Sequence, residues 1–150
     1  YGRLRKSEYV FESVERVQDV PMRCGEKRYW FSVSRSRLPK SHLDVFFVRC
    51  PELFDREGIY TQDPDEHLRF ALLSRAALEL CQWTQWAPDI VHANDWHTAL
   101  MPLYLRTVYA WDKLFARTRT VLTIHNIGYQ GVMSSETLRD LELQNERRLL

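Results

Sequence analysis

The sequence of 150 residues lacks the features of several large protein classes. No apolar run approaches the roughly 18 residues that a membrane-spanning helix needs, and no stretch has the pattern of a secretory signal peptide. Only three cysteines are present, and Cys24, Cys50 and Cys81 are widely spaced with no Cys-x-x-Cys motif. A disulfide framework is therefore excluded, and a reducing compartment is expected. The formal net charge of +1 gives no reason to expect nucleic acid as a partner.

The motifs of three common enzyme classes are also missing. The chain has no Gly-x-Gly-x-x-Gly and no Gly-x-x-x-x-Gly-Lys, the loops that cradle phosphates in dinucleotide-binding and P-loop proteins. It has no Gly-x-Ser-x-Gly elbow, which argues against a serine hydrolase triad. What is present is a globular balance of 45% hydrophobic and 27% charged residues, with 13% aromatic residues. Trp83, Trp86, Trp96 and Trp111 lie in the second half, which predicts a well-filled core and a stacking surface for a ring-shaped ligand.

The first third of the chain has the pattern of β-strands. Residues 28–35 are aromatic and β-branched, and the turn residues 24–27 precede them, so a β-hairpin is predicted. The almost wholly apolar segment 43–48 predicts a strand that is buried on both faces, as in a parallel sheet. Residues 49–64 predict a loop.

Helices and strands then alternate. Asp63 as N-cap, Pro64 at the first helical position and Glu66 predict a capped helix start, and this helix is expected to end between Trp83 and Trp86. Further along, the pattern predicts a strand at 89–93, a helix from Asp95 to about Trp111 loosened by Pro102, a strand at 120–125 and a short helix capped by Ser134 or Ser135. This alternation favours an α/β fold, a partial Rossmann-like parallel sheet with flanking helices and a β-hairpin in the N-terminal part.

Polar side chains gather where the predicted strand 89–93 ends. They are His92, Asn94, Asp95 and His97. Ligands of open α/β sheets bind at such strand ends, and a helix capped by Asn94 or Asp95 would offer free N–H groups to phosphate or to developing negative charge. In the simpler interpretation, Asp95 only caps the helix and His92 is a hydrogen-bonded core histidine.

A second junction repeats this arrangement after the strand at 120–125. His125 and Asn126 follow the strand, and Gly128 and Gly131 permit tight backbone paths. Between the glycines, Tyr129 and Gln130 supply a ring and an amide. The alternative is an ordinary turn.

A metal site is not expected from these histidines. His92, His97 and His125 are the histidines that could be considered. His92 and His97 are five residues apart across a strand-to-helix turn, so they do not lie on one helical face as a pair of metal ligands.

Both junctions resemble one enzyme family. Val91-His-Ala-Asn-Asp-Trp-His-Thr-Ala-Leu-Met-Pro-Leu-Tyr-Leu105 and Thr123-Ile-His-Asn-Ile-Gly-Tyr-Gln-Gly131 are similar to motifs of the bacterial glycogen synthases and plant starch synthases. Weaker similarity covers residues 49–60, the helix start at 65–70 and Tyr1-Gly2, so it extends over nearly the whole chain.

The resemblance implies a retaining glycosyltransferase of the two-domain GT-B fold. Such an enzyme transfers glucose from ADP-glucose, less often UDP-glucose, to the non-reducing end of an α-1,4-glucan, without metal or cofactor. Carried over by motif, His97 and Asp95 are the implied catalytic residues, with His97 against the transferred glucose. The implied substrate-binding residues are Asn94, Trp96, His125, Asn126, Tyr129 and Gln130.

The resemblance also implies what surrounds this chain. Residues 1–150 are expected to form a single incomplete domain, because the family's Lys-x-Gly-Gly loop and its C-terminal nucleotide-binding domain are not found in them. Many bacterial members have His where this chain has Asn94. The expected partners are a nucleotide sugar and a glucan, and the expected location is the cytoplasm, or the plastid stroma of a plant. The alternatives are another GT-B enzyme or a glucan-binding fragment without activity.

Overall fold

The N-terminal half forms an antiparallel sheet around one long strand. A computed structural model describes residues 9–58, 60–61 and 63–146 of the chain. The strands are β1 (Glu12–Ser13), β2 (Val20–Cys24), β3 (Lys27–Arg37) and β4 (Asp44–Arg49), and β3 pairs antiparallel with each of the others. The predicted hairpin is confirmed as β2–β3, and its turn depends on Gly25 at a φ of 61°.

Strand β4 corrects one prediction. The apolar segment 43–48 was expected to be a strand buried on both faces of a parallel sheet, but β4 is antiparallel to β3 and Val48 alone of its residues is buried. Phe46 and Phe47 are half-buried, and the Phe47 ring meets Phe11 edge-on at 5.1 Å. A short apolar run does not reveal which strand it pairs with. It also does not reveal whether both faces are buried, because aromatic side chains can cover one another locally without a second layer.

The long helix α2 (Glu66–Thr84) follows a single helical turn, α1 (Pro51–Phe54), inside the predicted loop. The predicted end of α2 is confirmed, since Gln85, which directly follows the helix, lies in the left-handed region and donates its N–H to Cys81 O and Gln82 O. The predicted capping box is wrong. The carboxylates of Asp63 and Asp65 accept hydrogen bonds from Arg56 instead, because a nearby guanidinium is a stronger donor than a backbone N–H.

The second half contains the predicted parallel pair, β5 (Ile90–Asn94) and β6 (Arg119–Thr123), which starts and ends within two residues of expectation. The helix predicted from Asp95 to about Trp111 is wrong in length, because α3 covers only Leu100–Arg106. Pro102 therefore lies in the first turn, where its missing N–H removes no helical hydrogen bond. The short helix near Ser135 is confirmed as a 3₁₀ turn (Ser135–Arg139) capped by the Ser134 hydroxyl, and another 3₁₀ turn covers Lys113–Phe115.

Helix α2 joins two hydrophobic cores. Leu68, Leu72, Ala76 and Leu80 pack against the antiparallel sheet, whereas Ala71, Leu78 and Cys81 pack against β5 and α3. Burial on two sides fixes both the direction and the rotation of this helix. The α/β fold class is confirmed, and α2 connects the antiparallel sheet to the edge where β5 and β6 end. None of the described helices is both long and apolar enough to cross a membrane.

Candidate active site

The carboxyl end of β5 turns sharply at Asp95. The Asp95 N–H donates to Thr123 O at 2.8 Å, which extends the β5–β6 pairing by one bond. Asp95 then adopts a φ of 57°, a left-handed conformation that Asp tolerates better than most residues. The Thr98 hydroxyl closes the turn, because it accepts from the Asn94 N–H at 2.8 Å and donates to Asn94 O at 2.9 Å.

The Asp95 carboxylate ties the two junctions together. The His125 backbone N–H donates to Asp95 Oδ1 at 2.7 Å, and Nδ1 of the His125 ring lies 3.0 Å from Asp95 Oδ2. The backbone bond is the largest reason that the pKa of Asp95 is lowered. Burial opposes it as the second-largest effect, and the side-chain bond and the charge of His125 lower the pKa further. Both oxygens of this carboxylate are thus engaged in holding the loop after β6.

His97 lies in a cluster of aromatic rings. Its ring stacks on Trp96 with 4.3 Å between centroids, meets the edge of Phe70 at 4.6 Å and lies 5.5 Å from the Tyr60 ring. Burial lowers the pKa of His97, so the ring is neutral at pH 7. Its Nε2 atom is buried and has no hydrogen-bond partner in the described part of the chain. A buried ring nitrogen without a partner is costly unless a ligand supplies one.

A cleft of about 350 Å³ opens beside this ring. Its lining consists of Tyr60, Asp95, Trp96, His97, Asn126 and Tyr129. Five of these six were predicted from the two junctions. The Asn126 carboxamide oxygen accepts from the Gly128 N–H at 3.0 Å, which shapes the loop that presents the exposed Tyr129 ring.

Four polar residues of the junctions lie apart from this lining. Asn94 is exposed, and its carboxamide donates to His92 O at 3.3 Å. The Gln130 carboxamide donates to Ile127 O at 2.9 Å, so it stabilises its own loop. His92 is exposed on the sheet and bonds the Thr123 hydroxyl at 2.7 Å, which rules out the core-histidine interpretation. His125 is exposed and reaches the cleft through Asp95.

The expected helix N-terminus is absent from this site. Helix α3 begins at Leu100, and neither Asn94 nor Asp95 caps it. The N–H groups of Thr98 and Ala99 donate to Asp95 O and Trp96 O, both at 3.3 Å. Anion binding through a helix dipole is therefore not part of this cleft. No group of three or more His, Cys, Asp or Glu residues suited to a metal ion occurs within the described ranges.

Three residues of the site were not predicted to belong to it. Tyr60 lies in the predicted loop 49–64, and Phe70 lies four residues into α2, yet both contact His97. Gly131, at a φ of 60°, lies flat against the Trp96 indole, where an added Cβ would come within 2.1 Å of Cε3. Its glycine spacing indicated a tight turn, but no local signal indicated the partner ring.

The Asp95–His125 connection gives a pH prediction. Because the folded-state pKa of Asp95 is below its ordinary value of 3.8, the connection is complete above that value and is lost as pH falls through the lowered pKa. In histidine-labelled protein, we expect the His125 amide signal to titrate with a midpoint below the ordinary Asp pKa. Asp95→Asn should abolish this step, and the exposed His42 serves as the internal control. A His125 amide that is unaffected by Asp95→Asn would contradict the connection.

A parallel strand pair with a polar, ring-lined cleft at its carboxyl ends defines an α/β domain with an enzyme-type ligand site. The family model described as "Starch synthase catalytic domain" matches residues 1–149. The chain therefore belongs to the starch synthase catalytic domain family.

Individual relatives agree with this assignment. The chain is 40% identical to the glycogen synthase of Treponema denticola over 129 residues, which cover 83% of the chain and 26% of the relative. It is 39% identical to glycogen synthase 1 of Geobacter sulfurreducens over 135 residues, which cover 87% of the chain and 27% of that relative. Among solved structures, a match is the catalytic domain of starch synthase IV from Arabidopsis thaliana, which was solved bound to ADP and acarbose. The TM-score is 0.72 and the sequence identity 30%, and the match covers 85% of this chain and 25% of the starch synthase IV chain. The chain thus spans about a quarter of the length of these proteins.

Proposed function

We propose that the protein carrying this chain transfers glucose from ADP-glucose to the non-reducing end of an α-1,4-glucan, with retention at the anomeric carbon. UDP-glucose is the second donor to consider. One observation carries the proposal: the buried Nε2 of His97, which has no partner among the described residues, lies at a cleft with Asp95 and two tyrosines, in a chain of the starch synthase family. The relative that was solved with ADP and acarbose supports the nucleotide and the sugar chain as ligands.

The chemistry assigns different work to the two catalytic candidates. The bond between glucose C1 and the phosphate oxygen breaks, ADP leaves, and C1 bonds the O4 hydroxyl oxygen of the acceptor while its proton is released. The transition state is deficient in electrons at the sugar ring, so oriented hydrogen bonds to ring hydroxyls lower the barrier. A neutral His97 can give or accept such a bond through Nε2 without burying a charge. Asp95 positions the loop after β6 through His125.

The remaining candidates form the wall of the cleft. Trp96 supports the His97 ring, and Asn126 and Tyr129 face the sugar. Asn94, His125 and Gln130 act on substrate through the loops that they stabilise.

The proposal extends to what accompanies this chain. Residues 1–150 are one part of a larger catalytic unit, whose nucleotide-binding domain holds most of the donor. The reaction uses no metal and no cofactor. The three cysteines are buried free thiols, which supports a reducing compartment such as the cytoplasm or the plastid stroma.

The test measures transfer of labelled glucose to glycogen by the full-length protein from the reading frame that contains these residues. ADP-glucose and UDP-glucose are compared in parallel, and we expect faster incorporation from ADP-glucose. The separate 150-residue chain, which spans about a quarter of the length of its relatives, should transfer no glucose. Glycogen binding by the full-length protein without transfer from either donor would contradict the proposal and indicate a glucan-binding protein.

A further inference from the structure

The loop between α1 and α2 places Tyr60 at the mouth of the candidate active site. The Tyr60 ring lines the cleft and lies 5.5 Å from the His97 ring, with 41° between the two ring planes. Tyr60 is nevertheless 65% exposed, so packing against the rest of the protein does little to hold it. The position of this ring therefore depends on contacts that its neighbours in the loop make.

Ion pairs close the base of this loop. The Arg56 guanidinium donates to Asp63 Oδ2 at 2.8 Å and to both oxygens of Asp65, each at 2.8 Å. The Arg56 side chain is 14% exposed, and paired bonds to one carboxylate are among the strongest hydrogen bonds that a guanidinium makes. These bonds fix where the loop leaves α1 and where it joins α2. They do not by themselves fix the direction of the Tyr60 ring.

Glu66, the first residue of α2, holds the segment that carries Tyr60. The Thr61 hydroxyl donates to Glu66 Oε2 at 2.5 Å, and the Thr61 backbone N lies 3.4 Å from Glu66 Oε1. Thr61 directly follows Tyr60, so its N–H belongs to the peptide group that joins the two residues. Both contacts thus restrain the backbone on which the Tyr60 side chain stands.

An ion pair keeps Glu66 in place. Arg69, one helical turn further along α2, donates through Nη1 to both Glu66 oxygens at 3.0 Å. The two side chains are largely shielded from water, which strengthens their attraction. Burial is the largest effect on the pKa of His97, and among the smaller effects the charge of Glu66 raises it and the charge of Arg69 lowers it. The pair therefore lies close to the candidate active site and adds no net charge there.

We propose that Thr61 and Glu66 are positioning residues of the transfer reaction, which hold the Tyr60 ring against His97 before the substrate binds. The inference rests on the proposed function, which places the transferred glucose at His97. A ring that is already in place meets the sugar without an ordering cost, whereas a loop released from Glu66 is ordered only during binding. The ground state and the transition state meet the same ring. The loss of this hold therefore raises KM for ADP-glucose and leaves kcat near the parent value.

The test removes one hydroxyl group from the full-length protein. Thr61→Val deletes the donor to Glu66 and keeps the shape of the side chain, and Thr61→Ala deletes it in a second form. We expect each of them to raise KM for ADP-glucose about fivefold, the effect of one lost hydrogen bond, with little change in kcat. Thr61→Ser keeps the donor and should return KM to the parent value.

A threonine outside the site is the matched control. The Thr118 hydroxyl donates to Pro88 O at 2.7 Å, at the opposite end of the β5–β6 pair from the cleft. Thr118→Val removes a hydrogen bond of the same kind. It should lower the thermal unfolding temperature without changing KM for ADP-glucose.

A second measurement tests whether Thr61 acts through Tyr60, and it needs no glucosyl transfer. The His97 ring protons lie close enough to Tyr60 to carry a ring-current shift, which Tyr60→Ala measures in histidine-labelled protein. Thr61→Val should lose much of this shift, and Thr61→Ser should keep it. In the Tyr60→Ala background, Thr61→Val should raise KM no further, because the effects of coupled residues do not add.

Three outcomes would overturn the proposal. An unchanged KM and an unchanged His97 shift in Thr61→Val would show that the ring is held without Glu66. An equal rise of KM in the Tyr60→Ala background would show that Thr61 acts by another route. A matching rise of KM in Thr118→Val would show a general effect of lost stability. Failure of the proposed function is distinguishable, because the parent protein then transfers no glucose while the His97 shift still responds to Thr61→Val.

Discussion

Replacing His97 by alanine is expected to lower kcat for glucosyl transfer by about 10²–10³-fold, the usual cost of removing one oriented hydrogen-bonding group from a transition state. KM for glycogen should change little, because the acceptor is held by other contacts. The expectation follows from the buried Nε2 of His97, which has no partner in the described part of the chain and lines the cleft with Asp95 and Tyr129. A group left without a partner in the free protein can gain one as the sugar reacts.

A second histidine provides the control for His97. His92 precedes it by five residues and is exposed on the sheet, and its ring bonds only the Thr123 hydroxyl among described residues, so His92→Ala should keep kcat within about threefold. His97→Gln retains a hydrogen-bonding group but not the ring, so its kcat should lie between those of His97→Ala and His92→Ala. Thermal unfolding of all three variants separates loss of function from loss of the stack on Trp96. Near-normal kcat in a folded His97→Ala protein would contradict the assigned role.

The pH dependence gives a further check on His97. Because burial lowers its pKa, the folded state favours the neutral ring, so its contribution to stability is present above the ordinary pKa of about 6.5 and falls as pH drops below that value. His97→Gln should flatten this part of the stability profile.

The ends of the parallel strands could be predicted from sequence because their signals are local. An abrupt change from apolar to polar residues predicts the end of β5 to within one residue of its observed position. The same change predicts the end of β6 to within two residues. Five of the six residues that line the cleft follow from these two transitions.

The internal arrangement of the site could not be predicted, because tertiary contacts decide it. Asp95 resembles a helix cap in sequence, yet its left-handed conformation and its bonds to His125 delay α3 until Leu100. Phe70 contacts His97 from α2, which packs between two cores, and Tyr60 contacts it from the loop that precedes this helix. A capping pattern such as Asp63 and Glu66 likewise failed against the guanidinium of Arg56, which no local rule includes.

Gly131→Ala is the second replacement with a large expected effect. The new Cβ would lie 2.1 Å from Cε3 of Trp96, and the φ of 60° disfavours any side chain at this position. Trp96 cannot yield easily, since its ring is packed between His97 at 4.3 Å and Phe70 at 4.6 Å. Either Trp96 shifts and disturbs His97, or the loop that carries Asn126 and Tyr129 moves away from the cleft. Both changes should lower kcat by about tenfold or more, since a misplacement of about 1 Å suffices for a large loss.

Two variants distinguish this clash from a general effect of loop glycines. Gly128→Ala is the matched control, because an added Cβ there would meet only Asn126 Oδ1, at 3.2 Å, and the backbone is not left-handed. Its kcat should stay within about threefold of the parent value. Trp96→Leu in the Gly131→Ala background removes the ring that the new methyl group would strike. If the clash is the cause, Gly131→Ala lowers kcat by a smaller factor in the Trp96→Leu background than in the parent protein, because the effects of replacing two residues in contact are not additive. Equal costs in the two backgrounds would show that the conformation of Gly131, rather than its contact with Trp96, supports the cleft.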